Sequence, residues 1–176
     1  AATGGEVKLE GVDWRHLSTV LQLFEQAGCR VRSGPGSIWF RRSRDVPMKA
    51  APPISTAPYP GFPTDAQPAV MAAFATARGT TIFQENMFSR RFGHVKGLRD
   101  MGADISLQGS GAWVRGVPRL HGAAVTATDL RGGGALAVAA LSAQGETELS
   151  GLEHIDRGYE GLEEMFSRLG ARMERR

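Results

Sequence analysis

The sequence holds one cysteine, Cys29, in 176 residues. An internal disulfide is therefore excluded, and the cytoplasm is the expected compartment. No apolar run approaches the roughly 18 residues of a membrane span, so no membrane partner is expected, and no basic-then-apolar pattern opens the chain. Lysine is nearly missing: Lys8, Lys49 and Lys96 are the only three. The net charge of +3 is slight, and its 21 basic and 18 acidic residues are well mixed. That pattern gives no nucleic-acid stripe. His16, His94, His121 and His154 lack ligand spacing, so no metal and no cofactor are expected. What remains is a globular composition, 41% hydrophobic and 22% charged. The size suits one domain, or one and a fraction. Its cation is arginine, the residue suited to a two-pronged grip on carboxylate or phosphate.

An internal repeat organises the chain. Gly5-Glu-Val-Lys-Leu, Gly79-Thr-Thr-Ile-Phe and Gly145-Glu-Thr-Glu-Leu each open a unit, and the units recur about every 70 residues. Each unit reaches a second glycine, Gly28, Gly102 or Gly170, after 23, 23 or 25 residues. Such self-similarity marks a repeated supersecondary unit. In the second unit, residues 79–84 alternate as a strand. Phe92, Val95, Leu98 and Met101 then make a helical stripe, and Gly102 stops the helix. Residues 103–108 and 112–116 form a hairpin around Gly109 to Gly111. The first unit matches, with Leu17, Val20, Leu21 and Phe24 on its helix and a hairpin over residues 31–40. The third repeats strand and helix through Tyr159, Leu162, Phe166 and Leu169.

A second helix precedes the glycine of each later unit. One runs from Thr64-Asp65 to about Arg78, the other from Asp129 to about Ala143. Ala135 to Leu141 is apolar all round, which predicts a helix buried on every side. The expected fold is therefore α/β, with sheets outside and the second helices gathered within. The units fall at about 1–62, 63–127 and 128–176. The matching helix for Gly5 would lie ahead of Ala1, so the chain is expected to begin inside a helix and to be part of a longer protein. The proline-rich stretch 43–63 reads as a surface connector.

Some residues break the repeat. Asp65 and Asp129 sit at helix starts, where a carboxylate either caps the helix or faces a cleft and takes a proton. Arg131, in the first turn after Asp129, opposes the helix dipole. Arg91 and Arg157 open helices at equivalent places, each 12 residues beyond its unit's glycine. Three arginines at helix N-termini would make an anion pocket. Solvated surface arginines are the plainer alternative. Cys29 occupies the place of Ala103 and Ala171, so a packed, inert thiol is expected. Gly132-Gly-Gly134 would allow close approach to the backbone but lacks the lysine of a P-loop.

These residues carry a resemblance. Phe62-Pro-Thr-Asp-Ala-Gln67, Phe88-Ser-Arg-Arg-Phe-Gly-His-Val95, Met101-Gly-Ala-Asp104, Ala127-Thr-Asp-Leu-Arg131 and His154-Ile-Asp-Arg-Gly-Tyr-Glu160 occur in order. Together they resemble the UDP-N-acetylglucosamine 1-carboxyvinyltransferases, the enolpyruvyl transferases of peptidoglycan synthesis. The resemblance spans nearly the whole chain and matches the C-terminal part of that enzyme. It implies the inside-out α/β barrel, each domain built of three repeats around buried helices. It implies UDP-N-acetylglucosamine and phosphoenolpyruvate as substrates and a second domain of the same enzyme as partner. Asp65 matches the aspartate that contacts the sugar nucleotide and is proposed as base. Met87 matches a main-chain contact to the sugar nucleotide. Arg131 and Arg157 match arginines that serve the enolpyruvyl group and phosphate. Arg91 matches another active-site arginine, and Asp129 an aspartate that assists proton movement. Pro68, Asn86 and Ser89-Arg90 depart from the pattern. The family's catalytic cysteine loop, its lysine–asparagine pair and its uracil contacts lie in the other domain, so this chain alone is expected to be inactive. The sister transferase acting on shikimate 3-phosphate, and a non-catalytic binding domain of the same fold, are the alternatives.

Overall fold

The computed structural model describes residues 1–175. Strand β1 (Gly5–Glu10) leads through a 3-10 turn at Trp14–Leu17 into helix α1 (Ser18–Gln26). Hairpin β2 (Arg30–Gly34) and β3 (Ser37–Arg42) follows. The short strand β4 (Ile54–Ser55) precedes helix α2 (Gln67–Phe74). The second unit holds β5 (Thr80–Gln84), α3 (Val95–Asp100), β6 (Asp104–Gln108) and β7 (Gly111–Arg115). Strand β8 (Ala124–Thr126), helix α4 (Leu130–Ser142), β9 (Glu148–Ser150), α5 (Leu152–Asp156) and α6 (Leu162–Arg168) complete it.

The repeat is visible in the sheets. The first is ordered β1-β3-β2 and the second β4-β5-β7-β6. In both, the unit's opening strand pairs antiparallel with the second hairpin strand, as Val7 with Phe40 and Thr81 with Val114. Helices α1, α3 and α6 each end at a glycine with φ of +97°, +91° or +94°, at Gly28, Gly102 and Gly170. That left-handed turn is what a residue without Cβ provides at a helix end. It explains why the second glycine recurs.

Helices α2 and α4 pack on each other in the interior. From α2, Met71, Ala72 and Phe74 are covered; from α4, Ala135, Ala137 and Ala139 are. Phe24 of α1 sits between Phe40, 5.5 Å away, and Phe74, 5.8 Å away, tying the first sheet to the central helices. A smaller cluster of Ala127, Ala137, Ile155 and Leu162 anchors the third unit.

Several expectations need correction. The stretch 43–63 is not only a surface connector. Met48, Ala51, Ile54 and Phe62 enter the core, and Ile54–Ser55 pair parallel with Phe83–Gln84. Prolines on either side confine the pairing to two residues, since proline donates no backbone hydrogen bond. Strand β8 plays the same part for β9. Helix α2 stops at Phe74, well short of Arg78, and α4 at Ser142. Because α2 ends five residues before Gly79, the equivalent residues 1–4 are irregular, and the chain does not begin inside a helix. Helix α4 is not covered all round: Gly134, Val138 and Leu141 form a half-exposed stripe. The third unit's long helix is split by a turn into α5 and α6, with Gly161 at φ +57° between them.

Candidate functional site

The N-terminal ends of α2 and α4 lie side by side, and Asp65 bridges them. Its Oδ2 accepts from Arg131 Nη2 at 2.8 Å, and its Oδ1 from Arg91 Nη2 at 3.2 Å. Each partner comes from a different place in the repeat. Asp65 lies in the turn before α2, Arg91 in the turn before α3, and Arg131 at the second residue of α4. Arg131 foremost holds the Asp65 carboxyl below its usual range, with Arg91 adding to this against partial burial. Asp65 is therefore ionised at neutral pH. Its side chain remains 54% exposed.

The two carboxylates differ in what they do locally. Asp129 caps α4, its Oδ1 accepting from Gly132 N–H at 2.9 Å. Asp65 caps nothing. Helix α2 starts two residues later at Gln67, behind Ala66, which offers no side-chain acceptor. A carboxylate that could have capped a helix instead reaches across to two guanidiniums, which removes the plain reading for Asp65.

The glycine run opening α4 admits side chains, where the sequence suggested a ligand. A Cβ at Gly132 would stand 3.3 Å from His94 Cβ and 3.0 Å from Asp129 Oδ2. At Gly133 it would meet Ile155 at 2.6 Å, and at Gly134 the ring of Tyr159 at 3.0 Å. Tyr159 thus lies on the first turn of α4, where its hydroxyl adds to Asp65, the foremost cause, in favouring the charged form of Arg131. A Cβ at Gly158 would meet Leu130 at 2.6 Å. Arg157 is consequently carried beside the same helix end. It is the C-cap of α5, where a cation favours the dipole, and does not open a helix. Its side chain is exposed and forms no ion pair among the described residues. Arg91 does not open a helix either, since α3 begins four residues later. Only Arg131 has the expected place.

The loop leaving β5 closes one side. Arg91 stacks on Phe88 with 4.5 Å from guanidinium carbon to ring centroid. Met87 is 41% exposed and its N–H donates to Glu85 Oε1 at 2.8 Å. An open hollow beside it is lined by residues 85–89 and Ser110. His94 is fully buried behind Arg91 and Asp129, and burial pushes its pKa down to about 4. The amide of buried Gln67 has no hydrogen-bond partner among the described residues. Cys29 is buried and burial raises its thiol pKa, so its position makes no nucleophile. Among the described residues no group of His, Cys, Asp or Glu is placed to hold a metal. No helix among the described residues is long and apolar enough to cross a membrane.

Sequence reading missed Glu85, Thr64, Phe88 and Tyr159. Thr64 and Tyr159 looked like parts of helices, and Glu85 is a single acid in a loop. No periodic signal marks Glu85 or Phe88, which lie in a loop.

A sequence model of EPSP synthase, 3-phosphoshikimate 1-carboxyvinyltransferase, matches residues 1–166. The chain belongs to the EPSP synthase family. Curated relatives include the UDP-N-acetylglucosamine 1-carboxyvinyltransferase 1 of Carboxydothermus hydrogenoformans, 43% identical over 99% of this chain and 41% of that protein. The UDP-N-acetylglucosamine 1-carboxyvinyltransferase of Novosphingobium aromaticivorans is 46% identical over 99% of this chain and 40% of its own length. The chain thus spans about two fifths of the relatives it matches. Among solved structures, the enolpyruvyl transferase NikO from Streptomyces tendae superposes with a TM-score of 0.79 at 29% identity, covering 89% of this chain and 36% of that one. EPSP synthase from Acinetobacter baumannii gives 0.71 at 21% identity over 96% of this chain and 42% of that one, a likeness of fold. The α/β arrangement read from the repeat, and the enolpyruvyl-transferase fold that the resemblance implies, are the class of these neighbours.

Proposed function

We propose that the chain is part of a transferase that moves enolpyruvate from phosphoenolpyruvate to the 3′-hydroxyl of UDP-N-acetylglucosamine and releases phosphate, in peptidoglycan precursor synthesis. The observation that carries this is the Asp65–Arg91–Arg131 cluster in a family member whose 43–46% identical relatives bear that enzyme's name. The reaction needs a base at a hydroxyl, a proton for the methylene carbon, and cations for phosphate and carboxylate. Asp65 is the base and sugar contact. While both guanidiniums hold it, it stays ionised and only weakly basic. An anionic substrate that draws them off raises its basicity where it is needed. Arg131, Arg91 and the unpaired Arg157 hold the phosphate and enolpyruvyl group, and positioned cations of this kind supply the largest share of such catalysis. Asp129 assists proton movement, and the Met87 carbonyl accepts from the sugar nucleotide. A second domain of the same enzyme supplies the remaining groups. The protein works in the cytoplasm, where both substrates are.

The test is phosphate release from phosphoenolpyruvate by the full-length protein, with UDP-N-acetylglucosamine or shikimate 3-phosphate as acceptor. Turnover with the sugar nucleotide alone is expected. Turnover with shikimate 3-phosphate alone assigns the sister reaction, and turnover with neither leaves a binding domain. The 176-residue chain by itself is expected to be inactive with both.

A further inference from the structure

We propose that Glu85 is a positioning residue, a buried carboxylate that aims Arg91 and the substrate-facing loop; this rests on the transferase reading above. Glu85 is 3% exposed and forms no ion pair among the described residues. Its charge is met by four donors instead. Thr56 Oγ1 donates to Oε1 at 2.9 Å, and the N–H groups of Met87 and Phe88 to the same oxygen at 2.8 and 3.1 Å. Thr64 Oγ1 lies 3.0 and 3.1 Å from the two oxygens. A carboxylate taken out of water is tolerable only with its lone pairs filled in this way.

The donors matter through what they leave free. A hydroxyl has one proton. Thr64 gives its proton to Glu85, so its oxygen turns lone pairs toward Arg91, whose Nε donates to it at 3.2 Å. Thr56 likewise accepts from Asn86 N–H at 2.8 Å. The inward Met87 and Phe88 N–H groups hold the segment that carries the Met87 carbonyl and the Phe88 ring beneath Arg91. One side chain therefore sets Arg91 from two sides, through Thr64 at its Nε and Phe88 at its face. It also fixes the residue before Asp65. A neutral amide at position 85 keeps the shape, but its NH2 faces hydroxyls whose protons then have no fixed acceptor.

Two arms test this. In the full-length protein, Glu85→Gln and Thr64→Val are each expected to lower kcat about ten- to a hundredfold. The double variant is expected to be within about threefold of the worse single one, because both cut the same link. Losses that multiply would mean Glu85 acts without Arg91 and would overturn the proposal. In the full-length protein without substrates, the Arg91 Nε–H is followed by NMR, independent of any turnover. Glu85→Gln is expected to speed its exchange with solvent about tenfold or more; unchanged exchange would overturn the proposal. A full-length wild type that turns over neither acceptor sinks the transferase reading, and the exchange arm then decides the role of Glu85 alone.

Discussion

Lowering the pH should strip stability from this fold through one residue, His94. Its side chain is 2% exposed, and burial brings its pKa from the ordinary 6.5 to about 4. In the fold it stays neutral to about pH 4, whereas the unfolded chain takes up a proton near pH 6.5. Between those values the unfolded state binds more protons, so stability is complete above pH 6.5 and drains away as pH falls toward 4. The loss is about 1.4 kcal/mol per pH unit and about 3 kcal/mol over the window. For a chain of this size that corresponds to roughly 6–12 °C in Tm. Asp65 acts in a separate window. Its pKa is held below 3.8 by Arg131 and Arg91, so its contribution is present above that value and is lost only at lower pH. The assay is urea unfolding of wild type and His94→Gln from pH 7.5 to 4.5. His16 and His121 are exposed and common to both, so they cancel. Wild type is expected to lose about 2–3 kcal/mol more than the variant. Parallel losses in the two proteins would refute the burial argument.

Three further outcomes follow from packing. Gly133→Ala would place a Cβ 2.6 Å from Ile155 and 3.0 Å from Ala127. Overpacking of about 1–3 kcal/mol exceeds the gain of up to about 1 kcal/mol in helix propensity, so a thermal melt should show a lower Tm; a rise contradicts the contact. Leu136→Ala removes an α4 side chain that is 1% exposed and packs on Gly97 of α3, and should cost about 2–5 kcal/mol in denaturant unfolding; under about 1 kcal/mol would mean the helix is not in the core. Cys29 should react slowly with a thiol-specific disulfide reagent in the native protein and fast in denaturant, because it is buried and its thiol pKa is raised; fast native reaction would refute its packing.

Much of the architecture could be read from spacing. Gly28, Gly102 and Gly170 end helices because a left-handed residue is required there, and that requirement is local. The stripes Val20 to Phe24 and Val95 to Leu98 likewise follow from period, while Leu17 and Phe92 lie in the turns that precede those helices. Strands β4 and β8 could not be read, because two or three residues carry no period and their partners are remote. The split between α5 and α6 depends on the docking of Ile155 and Tyr159 against glycines of α4, which is a tertiary cause. At the site, the residue types were legible and the reason for Asp65 was not. Its turn looked like a helix cap, and only the positions of Arg91 and Arg131 show where its carboxylate goes. Glu85 was invisible for the opposite reason: a buried acid with four donors looks, in sequence, like any loop glutamate.

The most direct measurement is the turnover of full-length Asp65→Asn beside wild type, with UDP-N-acetylglucosamine binding followed in parallel by calorimetry. The substitution keeps the shape and removes both the charge that Arg91 and Arg131 grip and the group that takes the proton. The account predicts a fall in kcat of about a hundred- to ten-thousandfold, while the sugar nucleotide still binds measurably. An Asn variant that turns over within a few-fold of wild type would contradict it.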